Sequence, residues 1–388
     1  MIRQRFFLAV LLAWFLLSSL AMAESQTKEA ADPMAGRTDP VLPQVTARSA
    51  VVMEAATGRI LYSRDMKARR FPASTTKAMT LIVALEKGDL DDIVVVSENA
   101  AGTDGSTLWL EKGDRIPLRD LLYGIMMVSG NDATVAIAEH IGGSVEGFAE
   151  MMREKAREIG AEDTYFVNPH GLPDDRHVTT AYDLALITAY GYQNPLFADI
   201  VGTKEKSFLW IKDPAHFWRS ENQMLWLYDG ANGVKTGYTD AAGRCLVTGA
   251  KRDGIQLVSV VLDSIYMWND SIAMLDYGFQ HVRPERILRG NEIVETVPVL
   301  SGWKQQVSVK TKSDIVLPVG DDGPGEYETV YDIPGSLHAP IASGEAVGKV
   351  IILYKGREVG STELVATESV EIKSFFATLY RLVKRQLL

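Results

Sequence analysis

Apolar residues recur at helical spacing through the middle of the chain and in short alternating runs near both of its flanks. The helical period predicts helices over residues 74–85, 118–128, 133–141, 145–159 and 181–190. Runs of β-branched and apolar residues predict strands at 234–238, 244–250 and 255–262, with a hairpin at 50–62 that turns at Thr57-Gly58. Helices in the middle and strands at both ends predict one α+β domain, which we place at residues 44–285.

Beyond residue 286 the apolar residues fall in short alternating runs. They predict strands at 292–300, 306–310, 347–354 and 358–364. A chain of 388 residues is long enough for two domains with separate cores. We therefore expect a second, all-β domain over residues 286–365.

The first 23 residues have the order of a secretory signal peptide. Basic residues in 1–5 precede an apolar run from Phe6 to Leu20, and Ala21-Met22-Ala23 follows. We expect cleavage after Ala23, with an uncleaved membrane anchor as the alternative. Residues 24–43 carry three prolines and few large apolar side chains, which is typical of a linker. The protein is thus expected to be exported and periplasmic.

The last segment, 370–388, places apolar residues at helical spacing and carries four cations against one acidic residue, Glu371. This pattern is typical of an amphipathic helix lying in the headgroup layer of an anionic membrane. We expect a helix within residues 366–388 that anchors the protein peripherally to the outer face of the cytoplasmic membrane. A helix packed on the β domain is the alternative.

Composition excludes several classes of partner and site. The net charge of −10 argues against nucleic acid, because phosphate binding depends on Lys and Arg. The single cysteine, Cys245, permits no intramolecular disulfide. Neither a metal nor a cofactor is expected, since the six histidines are scattered and no Cys/His cluster has zinc spacing.

Three short motifs occur in order along the chain: Ser74-Thr-Thr-Lys77, Ser129-Gly-Asn131 and Lys235-Thr-Gly237. Residues three apart share a helix face, so Lys77 should lie beside Ser74. Burial and a nearby cation lower the pKa of a lysine, and a neutral amine can take the proton of a serine nucleophile. Taken alone, Ser74 is better explained as a helix N-cap, but Lys235 gives the site a second cation that a cap would not need.

The other two motifs supply the remaining groups that acyl transfer requires. Ser129 can relay a proton to a leaving amine, and Asn131 can both donate to and accept from a peptide-like substrate. Lys235 and Thr236 suit a terminal carboxylate, and Gly237 in an edge strand lets a ligand backbone approach. Each motif also has an ordinary interpretation, as an interhelical turn and as a strand with one basic residue.

The three motifs resemble those shared by penicillin-binding proteins and serine β-lactamases. Further segments, at 168–172 (Asn-Pro-His-Gly-Leu), 180–184 (Thr-Ala-Tyr-Asp-Leu) and 235–243, resemble the low-molecular-mass D-alanyl-D-alanine carboxypeptidases. That branch carries a leader, a β-rich second domain and a C-terminal amphipathic anchor. The resemblance implies a catalytic domain with a helical cluster against an antiparallel sheet.

The resemblance also implies removal of the terminal D-alanine from peptidoglycan stem peptides through an acyl-enzyme on Ser74, with β-lactam antibiotics as covalent inhibitors. The implied roles are: Lys77 as base, Ser129 and Lys235 in proton transfer to the leaving D-alanine, Asn131 on the substrate amide, Thr236 on the terminal carboxylate, and the N–H groups of Ser74 and Tyr238 as the oxyanion hole.

One departure concerns the carboxylate. Some members of this branch have an arginine downstream of the KTG strand, yet no arginine lies between Arg252 and Arg283. Arg244 is a substitute, and a structural role for it is equally open.

Three other functions compete. A class A β-lactamase places a deacylating Glu four residues before an Asn, where this chain has Thr164 before Asn168, with Glu162 close by. A muropeptide endopeptidase would use the same residues as a carboxypeptidase. An inactive wall-binding scaffold would keep the fold without needing the three motifs intact.

Overall fold

The computed structural model describes residues 42–208 and 217–373. The predicted signal peptide and most of the predicted linker lie outside the described residues. A five-stranded antiparallel sheet in the order β2-β1-β9-β8-β7 organises the catalytic part. The strands before residue 265 are β1 Ser49–Glu54, β2 Ile60–Arg64, β3 Ile93–Val95, β4 Arg115–Pro117, β5 Glu205–Lys206, β6 Trp218–Arg219, β7 Ala231–Thr239, β8 Gly243–Arg252 and β9 Ile255–Ser264.

Both faces of the sheet are buried. Successive side chains along a strand point to opposite faces, and each face packs into a core of its own. On β1, Val51 and Met53 pack into a large core with the helices, whereas Ala50 and Val52 pack into a second core on the other side. The predicted hairpin is confirmed, with Gly58 in the left-handed region at φ +72°. Strand β1 pairs with β9, so the strands from the two flanks of the domain meet in one sheet.

Five predicted helices are confirmed to within about two residues, except that the first is preceded by a 3₁₀ turn at Ala73–Thr76. The helices are α1 Lys77–Lys87, α2 Glu98–Ala101, α3 Leu118–Met127, α4 Asn131–Gly142, α5 Val145–Ile159, α6 Ala181–Gly191, α7 Pro195–Gly202, α8 Met224–Leu227 and α9 Met267–Gln280. Helix α1 lies in the centre of the helical cluster, because residues 77–84 are all buried.

Helix α9 was not predicted. It covers the second face of the sheet, where Met274 and Leu275 are fully buried against β-strand side chains. The spacing of Trp268, Ile272, Leu275 and Phe279 is the helical signal that would have identified it.

The C-terminal part is all-β, as expected, and the four predicted strands are present. Its six-stranded sheet has the order β14-β16-β17-β12-β11-β15, and β10 pairs with β13. The strands are β10 Val282–Leu288, β11 Ile293–Leu300, β12 Gln306–Thr311, β13 Ile315–Gly320, β14 Tyr327–Asp332, β15 Leu337–His338, β16 Ala346–Tyr354 and β17 Arg357–Ala366. Arg59 joins the β1–β2 turn to this part: its guanidinium lies 2.6 Å from Asp322 and 2.8 Å from Glu326.

The start of the predicted C-terminal helix is wrong. Strand β17 continues to Ala366, and Val370, only 1% exposed, exchanges two backbone hydrogen bonds of 2.9 Å with Ile341. Ile372 forms a further bridge with Gly302. Backbone pairing therefore holds this stretch in the β part, and residues 374–388 of the predicted helix lie outside the described residues. Among the described helices, none is long and apolar enough to cross a bilayer.

Candidate active site

Ser74 lies in the 3₁₀ turn that leads into α1. The turn is held by Thr75, whose hydroxyl donates to the Pro72 carbonyl over 2.6 Å, and Ala73 adopts a left-handed φ of +48°. No side chain caps the first turn of α1. The N-cap interpretation of Ser74 is therefore not observed, and its hydroxyl remains available to Lys77.

Lys77 is completely buried beneath the serine. Its Nζ lies 3.0 Å from Ser74 Oγ, 2.7 Å from Asn131 Oδ1 and 3.0 Å from the His170 carbonyl oxygen. Burial, and secondly the positive charge of Lys235, hold the pKa of Lys77 well below its usual range. A neutral amine has two N–H donors, which the two carbonyl oxygens accept. Its lone pair then points to the serine hydroxyl, as a general base requires.

The loop at residues 168–172 provides one of those oxygens. Asn168 Oδ1 accepts the Gly171 N–H over 2.7 Å, and Thr80 donates to the Pro169 carbonyl over 2.5 Å. Gly171 has φ +89°, and a Cβ there would lie 1.8 Å from the Ala73 carbonyl oxygen. Only glycine lets this loop pack against the nucleophile turn. The sequence identified the segment but not the role of the His170 carbonyl.

Ser129-Gly-Asn131 is both an interhelical turn and part of the site. Ser129, with φ +66°, is buried between α3 and α4, and Asn131 is the first residue of α4. The Asn131 amide donates to the Asp104 carbonyl over 2.7 Å, which fixes its Oδ1 toward Lys77. The next residue, Asp132, accepts hydrogen bonds from Thr107 and from the backbone of residues 108 and 110, and so anchors the facing loop.

Lys235-Thr-Gly237 lies on β7, the edge strand of the sheet, as predicted. Lys235 is 1% exposed and its Nζ lies 3.3 Å from Thr236 Oγ1. Burial lowers the pKa of Lys235 to about 8, against the opposing effect of Glu221. A Cβ on Gly237 would lie 3.0 Å from the Ser74 nitrogen. Glycine thus favours the close approach of the nucleophile turn, whereas the sequence predicted a role for it in the approach of a ligand.

One cavity of about 400 Å³ brings the predicted residues Ser74, Ser129, Thr236, Gly237 and Tyr238 together. Lys77 and Asn131 lie beneath it, linked to Ser74 through hydrogen bonds. The cavity wall also includes Ser106, Glu221, Arg244, Met267 and Trp268. Of these, only Arg244 was a candidate from the sequence. Ser106 and the pair at 267–268 lie far from the three motifs, so no local signal marked them. Glu221 lies in a further Ser-x-Asn sequence, Ser220-Glu221-Asn222, which is a weak signal by itself.

The carboxylate arrangement of a class A β-lactamase is not reproduced. Thr164 donates its hydroxyl to Asp183 over 2.7 Å, and neither Thr164 nor Glu162 lines the cavity. Within residues 42–208 and 217–373, no three His, Cys, Asp or Glu side chains are grouped to hold a metal ion.

Comparisons with known proteins identify the family of the chain. The sequence profile of the D-alanyl-D-alanine carboxypeptidase family matches residues 35–265, and that of the penicillin-binding protein 5 C-terminal domain matches residues 283–372. The chain is 32% identical to D-alanyl-D-alanine carboxypeptidase DacF of Bacillus subtilis, over 86% of this chain and 88% of that protein. It is 31% identical to DacA of Haemophilus influenzae, over 94% of each.

The fold is also similar to that of a solved structure. The crystal structure of penicillin-binding protein 5 from Haemophilus influenzae superposes with a TM-score of 0.63 at 31% identity, covering 85% of this chain and 99% of that one. The family profile covers more than half of the sequence, and the relatives match both the helical catalytic part and the β part. The chain therefore belongs to the D-alanyl-D-alanine carboxypeptidase family.

Proposed function

We propose that this protein removes the terminal D-alanine from peptidoglycan stem peptides through an acyl-enzyme on Ser74. The contact that carries the proposal is the one between the buried amine of Lys77 and Ser74 Oγ, 3.0 Å apart at the floor of the cavity. Its test is the release of D-alanine from a pentapeptide that ends in D-Ala-D-Ala.

In the acylation step, Lys77 takes the proton of Ser74 as Oγ attacks the carbonyl carbon of the penultimate D-alanine. The N–H groups of Ser74 and Tyr238 stabilise the developing oxyanion. The bond to the terminal D-alanine nitrogen then breaks, and the proton that Lys77 took up passes through Ser129 to that nitrogen, with Lys235 assisting the transfer. Water hydrolyses the resulting ester and restores the free serine. A β-lactam carbonyl would be attacked in the same way and would leave Ser74 acylated.

Arg244 replaces the absent downstream arginine in this proposal. It is exposed in the cavity wall, opposite Tyr238 on the neighbouring strand, with its guanidinium 6.0 Å from the Tyr238 ring centroid. Within the described residues it forms no side-chain hydrogen bond or ion pair, which leaves its donors available to a carboxylate.

Arg244→Gln is expected to raise KM for peptides ending in D-Ala-D-Ala by about tenfold. A hydrogen bond to a charged group contributes about 1.5–3 kcal/mol, and solvent exposure places Arg244 at the low end of that range. Steady-state kinetics should show no such change for the same peptide with a C-terminal carboxamide. Lys251→Gln, which removes one charge at the far end of the same strand, is the matched control. An equal loss on both peptides would refute carboxylate recognition by Arg244.

The rate should depend on pH through both lysines. As pH falls through the depressed pKa of Lys77, the base becomes protonated and kcat/KM decreases. As pH rises above about 8, Lys235 loses its proton and its attraction for the substrate carboxylate, so kcat/KM decreases again. Measuring kcat/KM for D-alanine release as a function of pH tests both the decrease at low pH and the decrease at high pH. A rate that stays level from pH 7 to 10 would contradict the role of Lys235.

The same proposal places the protein in the periplasm, held to the outer face of the cytoplasmic membrane. The leader-like order of residues 1–23 and the cationic amphipathic pattern near the C-terminus support it. Because Val370 and Ile372 pair within the β part, the anchor is assigned to residues 374–388 alone. Deletion of 374–388 is expected to release the protein from membranes while soluble D-alanine release continues. Fractionation that still finds the truncated protein on membranes would refute the anchor.

A further inference from the structure

Trp109 is the most exposed large apolar side chain in the described part of the chain. It is 85% exposed, whereas its neighbours Leu108 and Leu110 are buried in the catalytic core. The N–H groups of both leucines donate to the Asp132 carboxylate, which fixes the loop with the indole ring in solvent. Trp109 itself has φ +60°, a left-handed conformation that is unfavourable for a bulky side chain. Because no packing of the ring compensates for this conformation, the exposed tryptophan indicates a role in binding.

The tryptophan lines a groove that is separate from the catalytic cavity but adjacent to it. The groove has a volume of about 430 Å³ and is lined by residues 101–105, 107 and 109–111. Ser106, in the same loop, lines the catalytic cavity instead. Gly105 packs directly on Asn131, because a Cβ there would lie 2.6 Å from the Asn131 amide nitrogen. One loop therefore forms a wall of both the groove and the catalytic cavity.

The groove combines an aromatic ring with carboxylates. Asp104 and Glu111 line it and are exposed, and within the described residues neither side chain forms a hydrogen bond or an ion pair. A carboxylate only accepts hydrogen bonds, so the ligand must supply N–H or O–H donors. The face of an indole ring packs against polarised C–H groups. A sugar has both features, and a groove of this size accepts a whole sugar residue, whereas an ammonium group would fill only a small part of it.

We propose that the groove binds an N-acetylated sugar of the glycan to which the stem peptide is attached. The indole ring of Trp109 stacks on the face of the sugar, and Asp104 and Glu111 accept hydrogen bonds from its hydroxyl and acetamido groups. The inference rests on the proposed function and adds a glycan subsite to it. Stem peptides that are joined to the glycan are then better substrates than free peptides of the same sequence.

The length of the stem peptide is compatible with this placement. In a pentapeptide, four residues lie between the sugar and the carbonyl that Ser74 attacks, and they span at most about 14 Å when extended. Trp109 lies three residues after Ser106, which limits the separation of their Cα atoms to about 11 Å. A peptide whose fourth residue is in the catalytic cavity can therefore place its sugar in the groove.

The test compares two substrates of the full chain. One is a pentapeptide ending in D-Ala-D-Ala, and the other is the same pentapeptide attached to the disaccharide of N-acetylglucosamine and N-acetylmuramic acid. The value of kcat/KM for D-alanine release is expected to be about tenfold higher with the disaccharide, because apolar contact and hydrogen bonds to carboxylates are added. Equal values for the two substrates would overturn this inference alone. Absence of D-alanine release from both would overturn the proposed function and this inference together.

Variants of the groove assign the preference to its side chains. Trp109→Ala should bring the ratio of kcat/KM between the two substrates close to one, Glu111→Gln should lower the ratio, and Trp109→Tyr, which keeps a flat ring, should retain most of it. Trp226→Ala is the matched control, because it removes an exposed tryptophan of α8 that lines neither the groove nor the catalytic cavity. It should leave the ratio unchanged.

Two results with Trp109→Ala would contradict the assignment. An unchanged ratio would show that the ring does not contact the sugar. A loss of the same size on both substrates would show that the ring contacts the peptide, for example an ammonium group of the stem peptide, and would also overturn the glycan subsite.

Discussion

Lys77→Arg is expected to slow acylation by about 10²–10⁴-fold, the usual contribution of a general base. The guanidinium group stays protonated at every accessible pH, so it cannot take the proton of Ser74. The environment of Lys77 is suited to a neutral amine: it is fully buried, it lies near the charge of Lys235, and two carbonyl oxygens accept its N–H groups. Stopped-flow measurement of acylation by a chromogenic β-lactam gives the rate directly.

The longer arginine side chain also strains a packed site, and a second variant addresses this. Lys77→Gln keeps N–H donors for Asn131 and the His170 carbonyl but has no basic lone pair. It should lose acylation to the same degree as Lys77→Arg, while thermal unfolding shows that the fold is retained. A folded Lys77→Gln protein that acylates at the normal rate would remove Lys77 from the role of base.

Ser74→Ala should reduce both D-alanine release and labelling by fluorescent penicillin to background. No other hydroxyl has a buried amine placed at 3.0 Å within the described residues, so the loss should be complete. Ser301→Ala is the matched control, because Ser301 also stands three residues before a lysine. That serine lies in the β part, and its Lys304 is paired with Glu368. Ser301→Ala is expected to retain full activity.

Labelling that persists in Ser74→Ala, or that disappears in Ser301→Ala, would overturn Ser74 as the nucleophile. The two serines differ in context, since Ser74 opens an apolar helix whereas Ser301 follows an alternating strand.

The sequence predicted the elements whose apolar period is long and regular. Helices α3 to α6 and strands β7 to β9 lie where the pattern placed them, because one buried face dictates the period of each. It did not predict α9, whose first residues also line the cavity, although the apolar residues of this segment lie at helical spacing. At residues 370–372 a helical pattern was overruled by pairing with Ile341 and Gly302, a long-range contact that no local period reveals.

The residues of the site also fall into two groups, those that the sequence could identify and those that depend on the fold. Ser74, Lys77, Asn131 and Lys235 could be named because they lie in short motifs of fixed spacing. The His170 carbonyl is a backbone atom, so its contact with Lys77 depends on how the 168–172 loop packs. Glu221 lies in a further Ser-x-Asn sequence, Ser220-Glu221-Asn222, which is a weak signal by itself, and a backbone hydrogen bond to Met127 holds its loop at the cavity. Such residues become visible only when the fold brings distant segments together.

The most direct test of the central claim is to identify the acylated residue. Protein quenched after reaction with penicillin is digested with trypsin, which releases Ser74 in the peptide of residues 71–77 and Ser129 in that of residues 120–153. The account predicts the penicilloyl mass on residues 71–77, at Ser74. An adduct on residues 120–153, or on any other peptide, would contradict it.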